Sequence, residues 1–434
     1  MALNVVGQRV KRYDGLAHVA GETRFVDDVI VPGTLVVKGL RSPVPKGLIK
    51  KLDVSAAEKV PGVVAVMTHK DVRNNRYGWG GDQYVLAEDH VRYKGELIAV
   101  VAAENEDAAL EAVDKMKLEI EEQEPVFDPL EAMKPGAPKV RPEGNIFMYG
   151  DSPCRKIIFG DINEGFKKAD IIVEGKYHHQ GLKHAQLEPH VSLAVPEATG
   201  RLTIYTVSQA MYFHLTWVCN IVGLPMSKVR MIGGTVGGGF GAKNDVHADH
   251  ITALLALKTG RPVKWRWTRE EDLLFSTFRG SWDMEFKDGV TKDGRLVARQ
   301  VKSIRDSGAY TSLNAYVVDK HCFLVAGPYF IPNVYVEGYC VYTNKPPASS
   351  MRGFGITPAT YAGEMQMNKI AEALGMDPWE LRFKNAFREG EMTATQRVVD
   401  SVALIETMQT LAGVVGKELP PHLKAMTSAQ KREG

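Results

Sequence analysis

The 434-residue chain has no apolar run long enough to cross a bilayer. Its first residues, MALNVVGQRVKRYDG, lack the hydrophobic core of a secretion signal. No membrane association is expected, and a cytoplasmic location is. Cysteine is scarce: Cys154, Cys219, Cys322 and Cys340 are widely scattered, with no Cys-x-x-Cys. That spacing argues against an iron–sulfur or zinc-ribbon framework in this chain and leaves buried or free thiols. An excess of one charge is also missing, with 54 Lys and Arg against 52 Asp and Glu. Bulk electrostatics therefore give no reason to expect a nucleic-acid partner. No internal repeat is visible.

What is present is ordinary globular material, 44% hydrophobic and 24% charged. The length allows about two to three domains. Residues 9–60 read as short strands and turns, with VDDVIVPGTLVVKGLRSP alternating between Pro-Gly and Ser-Pro boundaries. KKLDVSAAEKVPGVVAVMTHKDV reads as strand, short helix and strand. ENEDAALEAVDKM, from Glu104 to Met116, predicts an amphipathic helix with acidic residues in its first turn. KLEIEEQEPVF alternates as a strand does. The first domain is α+β and is expected to end near Pro129. Residues 130–165 are rich in Pro, Gly and charge, and are expected to be a linker wrapping the surface. Strands and helices alternate again from Ile171. Thr357-Pro358 is expected to open a helix, with Thr357 as its cap, running to about Leu374 and stopping at Gly375. A second helix is expected from Pro378. The pattern fades after Leu411, and residues 419–434 read as a tail.

The most informative stretch is MIGGTVGGGFGAK, Met231 to Lys243. A strand-like run, Lys228 to Ile232, leads in, and a helix-like run, Val246 to Thr259, leads out. Glycines in such a crossing let backbone N–H groups approach a ligand closely. A helix N-terminus behind them would add orphan donors and partial positive charge, which suits a phosphate, an oxyanion or a metal-bound oxo group. Phe240 inside the glycine run makes sense as one wall of a site. Gly237, Gly239 and Ala242 also fit G-x-G-x-x-A, but the next strand-like run, Pro262 to Trp267, lacks the acidic ribose partner of a dinucleotide site.

GGGFGAK at 237–243, Arg352-Gly353-Phe354-Gly355 after a strand, and the N-terminal TRFVDDVIVPGTLVVKGLRSP coincide. Together they resemble the molybdopterin-binding subunit of the xanthine dehydrogenase/aldehyde oxidoreductase family. The resemblance covers nearly the whole chain. It implies an α+β protein: an α/β hammerhead domain (1–129), a linker (130–165), the first molybdenum-cofactor domain (166–418) and a C-terminal tail (419–434). Single-chain relatives continue for several hundred residues, so the resemblance implies a cofactor site split between this chain and a second molybdopterin subunit.

The implied cofactor is molybdopterin cytosine dinucleotide carrying molybdenum with a terminal sulfido or selenido ligand. Iron–sulfur centres and FAD are implied on partner subunits only. The implied reaction hydroxylates an electron-poor N-heterocycle such as nicotinate, with water as oxygen source and the catalytic base in the partner chain. A purine or aldehyde dehydrogenase subunit and a non-catalytic scaffold of the same fold remain alternatives, and a plain dinucleotide dehydrogenase is the weakest.

By similarity, Gln209 stands beside the metal's ligands, where its amide can donate to an oxo or sulfido group. Gly238, Gly239, Phe240 and Gly241 form the segment whose amides approach the cofactor. Arg352 offers the pterin a planar fork of donors. Phe354 supplies an aromatic face for a flat substrate. Asn244 stands where purine-oxidising relatives carry a glutamate, and Lys320 where they carry an arginine; both departures argue against xanthine. His178, His179, His184 and His190, with His247 and His250, form a histidine-rich set. Without HExxH or paired Cys they are read as ordinary histidines rather than zinc ligands.

Overall fold

The computed structural model describes residues 3–432. In the first part of the chain the elements are α1 (Gly15–Ala20), β1 (Leu35–Arg41), β2 (Gly47–Asp53), β3 (Val63–Thr68), β4 (Arg76–Tyr77), β5 (Gln83–Tyr84), β6 (His90–Val91), β7 (Leu97–Ala103), α2 (Glu106–Lys115), β8 (Lys117–Glu122) and α3 (Pro129–Ala132). The second part runs β9 (Arg155–Phe159), α4 (Ile162–Lys167), β10 (Ile171–His179), β11 (Val191–Pro196), β12 (Leu202–Thr206), α5 (Met211–Val222), β13 (Val229–Gly233), α6 (Asp249–Thr259), β14 (Val263–Arg266) and α7 (Arg269–Phe275). It continues with β15 (Trp282–Val290), β16 (Leu296–Gly308), α8 (Asn314–Leu324), β17 (Val334–Tyr342), α9 (Ile356–Leu374), α10 (Pro378–Asn385), α11 (Leu404–Val414) and α12 (Pro421–Lys424). The class is α+β, as expected.

One sheet joins the two parts of the chain. Its order is β13-β12-β11-β14-β1-β7-β3, with β1 parallel to β14 and antiparallel to β7. β7 reads LIAVVAA without polar alternation because it lies inside the sheet with both faces covered. α6 is buried nearly all round (Ile251, Ala253, Leu255 and Ala256 are fully enclosed) and packs on β11 and β14, so it lacks a wet face. Arg41 at the end of β1 reaches across to Phe275, 4.5 Å from that ring's centroid, and Trp267, at 5.0 Å. A second sheet, β10-β15-β16-β17-β9, packs under α8 and α9 around Trp282, Phe286, Val301, Val336, Met367 and Ile370. Each such side chain, fully buried, is worth roughly 1.5–3 kcal/mol.

α2 starts where its acidic first turn predicts, capped by the Asn105 side chain on the Ala108 N–H. Four local expectations fail for physical reasons. The stretch 130–165, expected as a linker, carries β9, an edge strand antiparallel to β17; the Asn145 side chain pins the loop before it to the Ala132 and Pro138 carbonyls. α9 begins at Ile356 with Gly355 as cap, not Thr357, because Gly353 already accepts the Ile356 N–H at 2.8 Å. The segment 419–432 packs down: Leu419 and Leu423 are buried, and Arg432 pairs with Glu391 at 2.7 Å. The N-terminal stretch expected as strand contains α1 and a short 3-10 turn, Val26–Asp28.

Candidate functional site

Gln209 follows β12, and the glycine run follows β13, its parallel neighbour through α5. Both therefore emerge at the carboxyl ends of adjacent parallel strands, where open α/β sheets commonly bind ligands. The strap Ser349–Phe354 arrives from the other sheet, after β17. Gln209, Phe240, Gly241, Asn244, Ser350, Met351, Arg352, Gly353 and Phe354 line one cavity of about 470 Å³ at this seam.

The loop is held in an unusual path. Phe240 has φ 54° and Gly241 φ 108°, both left-handed. For a phenylalanine that conformation costs ~1–3 kcal/mol and needs outside support. Gln209 Oε1 accepts the Gly241 N–H at 2.9 Å, the Phe240 carbonyl accepts the Arg352 N–H at 2.8 Å, and Ser350 Oγ donates to the Gly241 carbonyl at 2.9 Å. A Cβ on Gly239 would strike the Gln209 carboxamide, with Cδ 2.6 Å away, and one on Gly241 would lie 2.7 Å from the Ser350 carbonyl oxygen. The glycines are thus needed first for packing against Gln209 and the strap. The expected helix terminus is not directly behind them: a 3-10 turn, Ala242–Asn244, intervenes and α6 starts only at Asp249. β13 is an edge strand in a sheet with antiparallel members, which is not the doubly wound order of a dinucleotide fold.

A buried ionic platform carries the loop. Lys243, with no exposed surface, donates to Glu188 at 2.6 Å, and the same oxygen accepts the Gly237 N–H at 2.7 Å. Burial lowers the Lys243 pKa, and Glu188 opposes that. Asp272 receives the Gln186 amide, the His190 N–H and His190 Nδ1 at 2.8–3.0 Å. Burial pushes the Asp272 carboxyl up, but the His190 contacts outweigh it and its pKa falls overall. His214 bonds Asp249 at 2.6 Å and the Asn244 carbonyl at 3.2 Å. Of the histidine-rich set, His190 and His184 are used in such contacts, His184 donating to the Ser350 carbonyl at 2.8 Å, whereas His247 Nε2 and His250 Nδ1 are buried without a partner among the described residues. Among the described residues no group of three or more His, Cys, Asp or Glu is arranged to hold a metal ion. All four cysteines are buried and free.

What the cavity offers is donors. The Gln209 oxygen is occupied by backbone N–H groups, which leaves its amide nitrogen for a ligand. Among the described residues nothing accepts from the N–H groups of Gly238, Gly239 or Phe240, nor from the exposed Arg352 guanidinium. No carboxylate lines the cavity. Such a donor set fits an anionic, oxygen-rich ligand such as a pterin-held oxo-metal group.

The predicted residues separate in space. Gln209, Phe240, Gly241, Asn244, Arg352 and Phe354 meet in this cavity. Gly238 lines a neighbouring cleft with His18, Phe25 and Val236. Gly239 is buried beneath, and Lys320 is exposed on α8 outside the cavity lining. Sequence reasoning missed Ser350 and Met351, for which no motif signal exists, and the Glu188–Lys243 pair; Lys243 was inside the motif, but Glu188 is distant in sequence.

Fold and cavity define a scaffold whose amide and guanidinium donors face an open cavity where two sheets meet, an arrangement suited to an anionic ligand. Residues 142–386 match the molybdopterin cofactor-binding domain, and residues 20–124 match the aldehyde oxidase and xanthine dehydrogenase a/b hammerhead domain. The chain belongs to the xanthine dehydrogenase/aldehyde oxidoreductase family, as a molybdopterin-binding subunit. It is 38% identical to the nicotinate dehydrogenase large molybdopterin subunit of Eubacterium barkeri, over 93% of this chain and 95% of that one. It is 39% identical to a probable xanthine dehydrogenase subunit of Bacillus subtilis (strain 168), over 86% of this chain and 50% of that one. Aldehyde oxidoreductase from Desulfovibrio gigas superposes with a TM-score of 0.88 at 30% identity, over 93% of this chain and 46% of that one. The chain thus spans nearly all of the first relative but about half the length of the others. No helix among the described residues is long and apolar enough to cross a membrane.

Proposed function

We propose that this chain is the large molybdopterin subunit of a molybdenum hydroxylase acting on an electron-poor N-heterocycle such as nicotinate. The observation that carries the reading is the single cavity joining Gln209, Phe240, Asn244, Arg352 and Phe354 without a carboxylate. It is supported by similarity to a nicotinate dehydrogenase subunit over nearly that protein's whole length. When bound, the molybdenum cofactor supplies the oxidising chemistry that places a water-derived oxygen on a ring carbon.

This chain's residues bind and orient. The Gln209 amide nitrogen and the free N–H group of Phe240 are its donors toward cofactor oxygens. Arg352 adds a charged fork. Phe354, half-buried against the β17 and α9 core, is the face for a flat ring. Asn244 gives its amide hydrogen to Ser350 Oγ at 2.8 Å, so a neutral oxygen remains for substrate. A general base is absent from the lining and belongs to a second molybdopterin subunit. In this reading the cofactor is the cytosine dinucleotide form with a terminal sulfido or selenido ligand, and electrons leave through iron–sulfur and FAD subunits.

Co-expression with the neighbouring reading frames tests the reading. The complex is expected to contain molybdenum and cytidine nucleotide and to oxidise nicotinate faster than xanthine or an aldehyde. Preference for xanthine would favour the second reading, which the similarity to a probable xanthine dehydrogenase subunit supports. A complex without metal or nucleotide would leave a scaffold.

A further inference from the structure

The strap from Ser349 to Gly355 has no regular structure, yet four of its carbonyls are engaged by buried side-chain nitrogens. Arg305 donates to the Ser349 carbonyl at 2.9 Å and His184 to that of Ser350 at 2.8 Å. Arg279 Nη2 donates to the Arg352 carbonyl, and His321 Nδ1 to that of Gly355 at 3.0 Å. Two of the supports are joined through a tryptophan: the Arg305 guanidinium lies 5.3 Å from the Trp282 ring centroid, and Trp282 stacks on His321 at 4.1 Å.

Two of these supports are cations without counterions. Arg305 is 1% exposed and Arg279 6% exposed, and neither pairs with a carboxylate among the described residues. Arg299 shows what this interior can provide: equally buried, it is paired with Asp288 at 2.7 Å. Arg279 also leaves Nε without an acceptor. An unpaired buried charge costs several kcal/mol. Burial lowers the pKa of both guanidiniums, that of Arg305 to about 10. The peptide that Arg279 holds is the one that carries Arg352, whose own guanidinium is exposed at the cavity. The strap's Met351, Gly353 and Phe354 N–H groups have no acceptor among the described residues.

We propose that Arg279 positions Arg352, and that its uncompensated charge is matched by the anionic, phosphate-like or oxo-bearing group that the cavity binds. Arg279 touches no cavity ligand itself; it acts through the Arg352 peptide and through its field. The proposal rests on the strap's own contacts, so it holds or fails apart from the redox reading above.

The test uses the full-length chain, with inorganic pyrophosphate as probe and isothermal titration calorimetry at low salt. Arg279→Gln is expected to weaken binding ~10-fold or more, through the lost field of its charge and the loosened Arg352 peptide. Arg279→Lys, which keeps the charge, is expected to stay within ~3-fold of the parent by the same arithmetic. Exposed Arg230→Gln controls for net charge and is expected to change nothing. Combining Arg279→Gln with Arg352→Gln is expected to cost less than the product of the single losses, because one residue acts through the other. Three results overturn the proposal: a parent chain that does not bind pyrophosphate, an Arg279→Gln variant that loses thermal stability but binds as the parent does, or fully multiplicative losses. If Arg279→Gln does not fold, Arg279→Lys decides: a ~10-fold loss with the charge retained refutes the charge assignment.

Discussion

Gln209 Oε1 accepts the backbone N–H of Gly241 at 2.9 Å, so one side chain fixes the glycine loop and turns its own amide nitrogen free. The same oxygen also receives the Lys243 N–H at 3.3 Å. The residue thus has an oxygen committed to the loop and an amide nitrogen that is not, and substitutions can separate the two.

Gln209→Glu keeps the acceptor and loses the donor, while Gln209→Ala loses both. The Glu variant is expected to melt within a few degrees of the parent, yet to turn over slowly in the complex. The Ala variant leaves two loop N–H groups without their acceptor, costing ~1–3 kcal/mol each if water does not replace it. Melting curves beside turnover check the distinction; identical melting of the two variants would remove the structural role.

Gly241→Ala meets both a left-handed backbone and the Ser350 carbonyl oxygen 2.7 Å from the new Cβ. The strap must move away, so molybdenum content of the purified complex is expected to fall sharply. Gly413, inside α11 with nothing within 4 Å of an added Cβ, is the contrasting case. Gly413→Ala is expected to stabilise by about 0.5–1 kcal/mol, with metal content unchanged. Denaturant melts and metal analysis on both variants test the pair.

Lys320 is exposed on α8 and does not line the cavity, so the substrate reading makes a demanding prediction for it. If it meets a substrate carboxylate, Lys320→Met raises the KM for nicotinate ~10-fold, the scale of a ~1.4 kcal/mol loss. The KM for uncharged nicotinamide should change far less. Equal response of the two substrates would leave the carboxylate to another residue.

His321 is buried with its pKa lowered by burial to about 4 from the usual 6.5. The unfolded chain therefore binds a proton that the folded chain refuses between those values. Stability contributed by neutral His321 is present above pH 6.5 and is lost as pH falls toward 4. Protonation would also turn Nε2 from acceptor to donor, so the Ser303 hydroxyl, 2.8 Å away, would have to reverse its part in that bond. The melting temperature of the parent is expected to drop across this window, and His321→Gln is expected to drop less. Parallel curves for the two proteins would refute the assignment.

The sequence by itself determined the local elements whose causes are local. The apolar run of β7, the Asn105-capped α2, and the helices stopping at Gly375 and starting at Pro378 follow from burial pattern, capping and φ preference. It also carried the motifs GGGFGAK and Arg352-Gly353-Phe354-Gly355, which the fold brings to one cavity. Tertiary structure decided the rest. That Gly239 and Gly241 are glycines because Gln209 and Ser350 lie against them depends on contacts between distant segments. β9 and the packed segment 419–432 carry too little periodicity to be read alone; edge pairing with β17 and contacts to Glu391 and Glu406 make them order. Arg279 has no motif around it, and its part appears only once the fold lays its guanidinium, unpaired, against the carbonyl of Arg352. Local propensity is written residue by residue, whereas a buried charge without a partner exists only when the whole chain has closed around it.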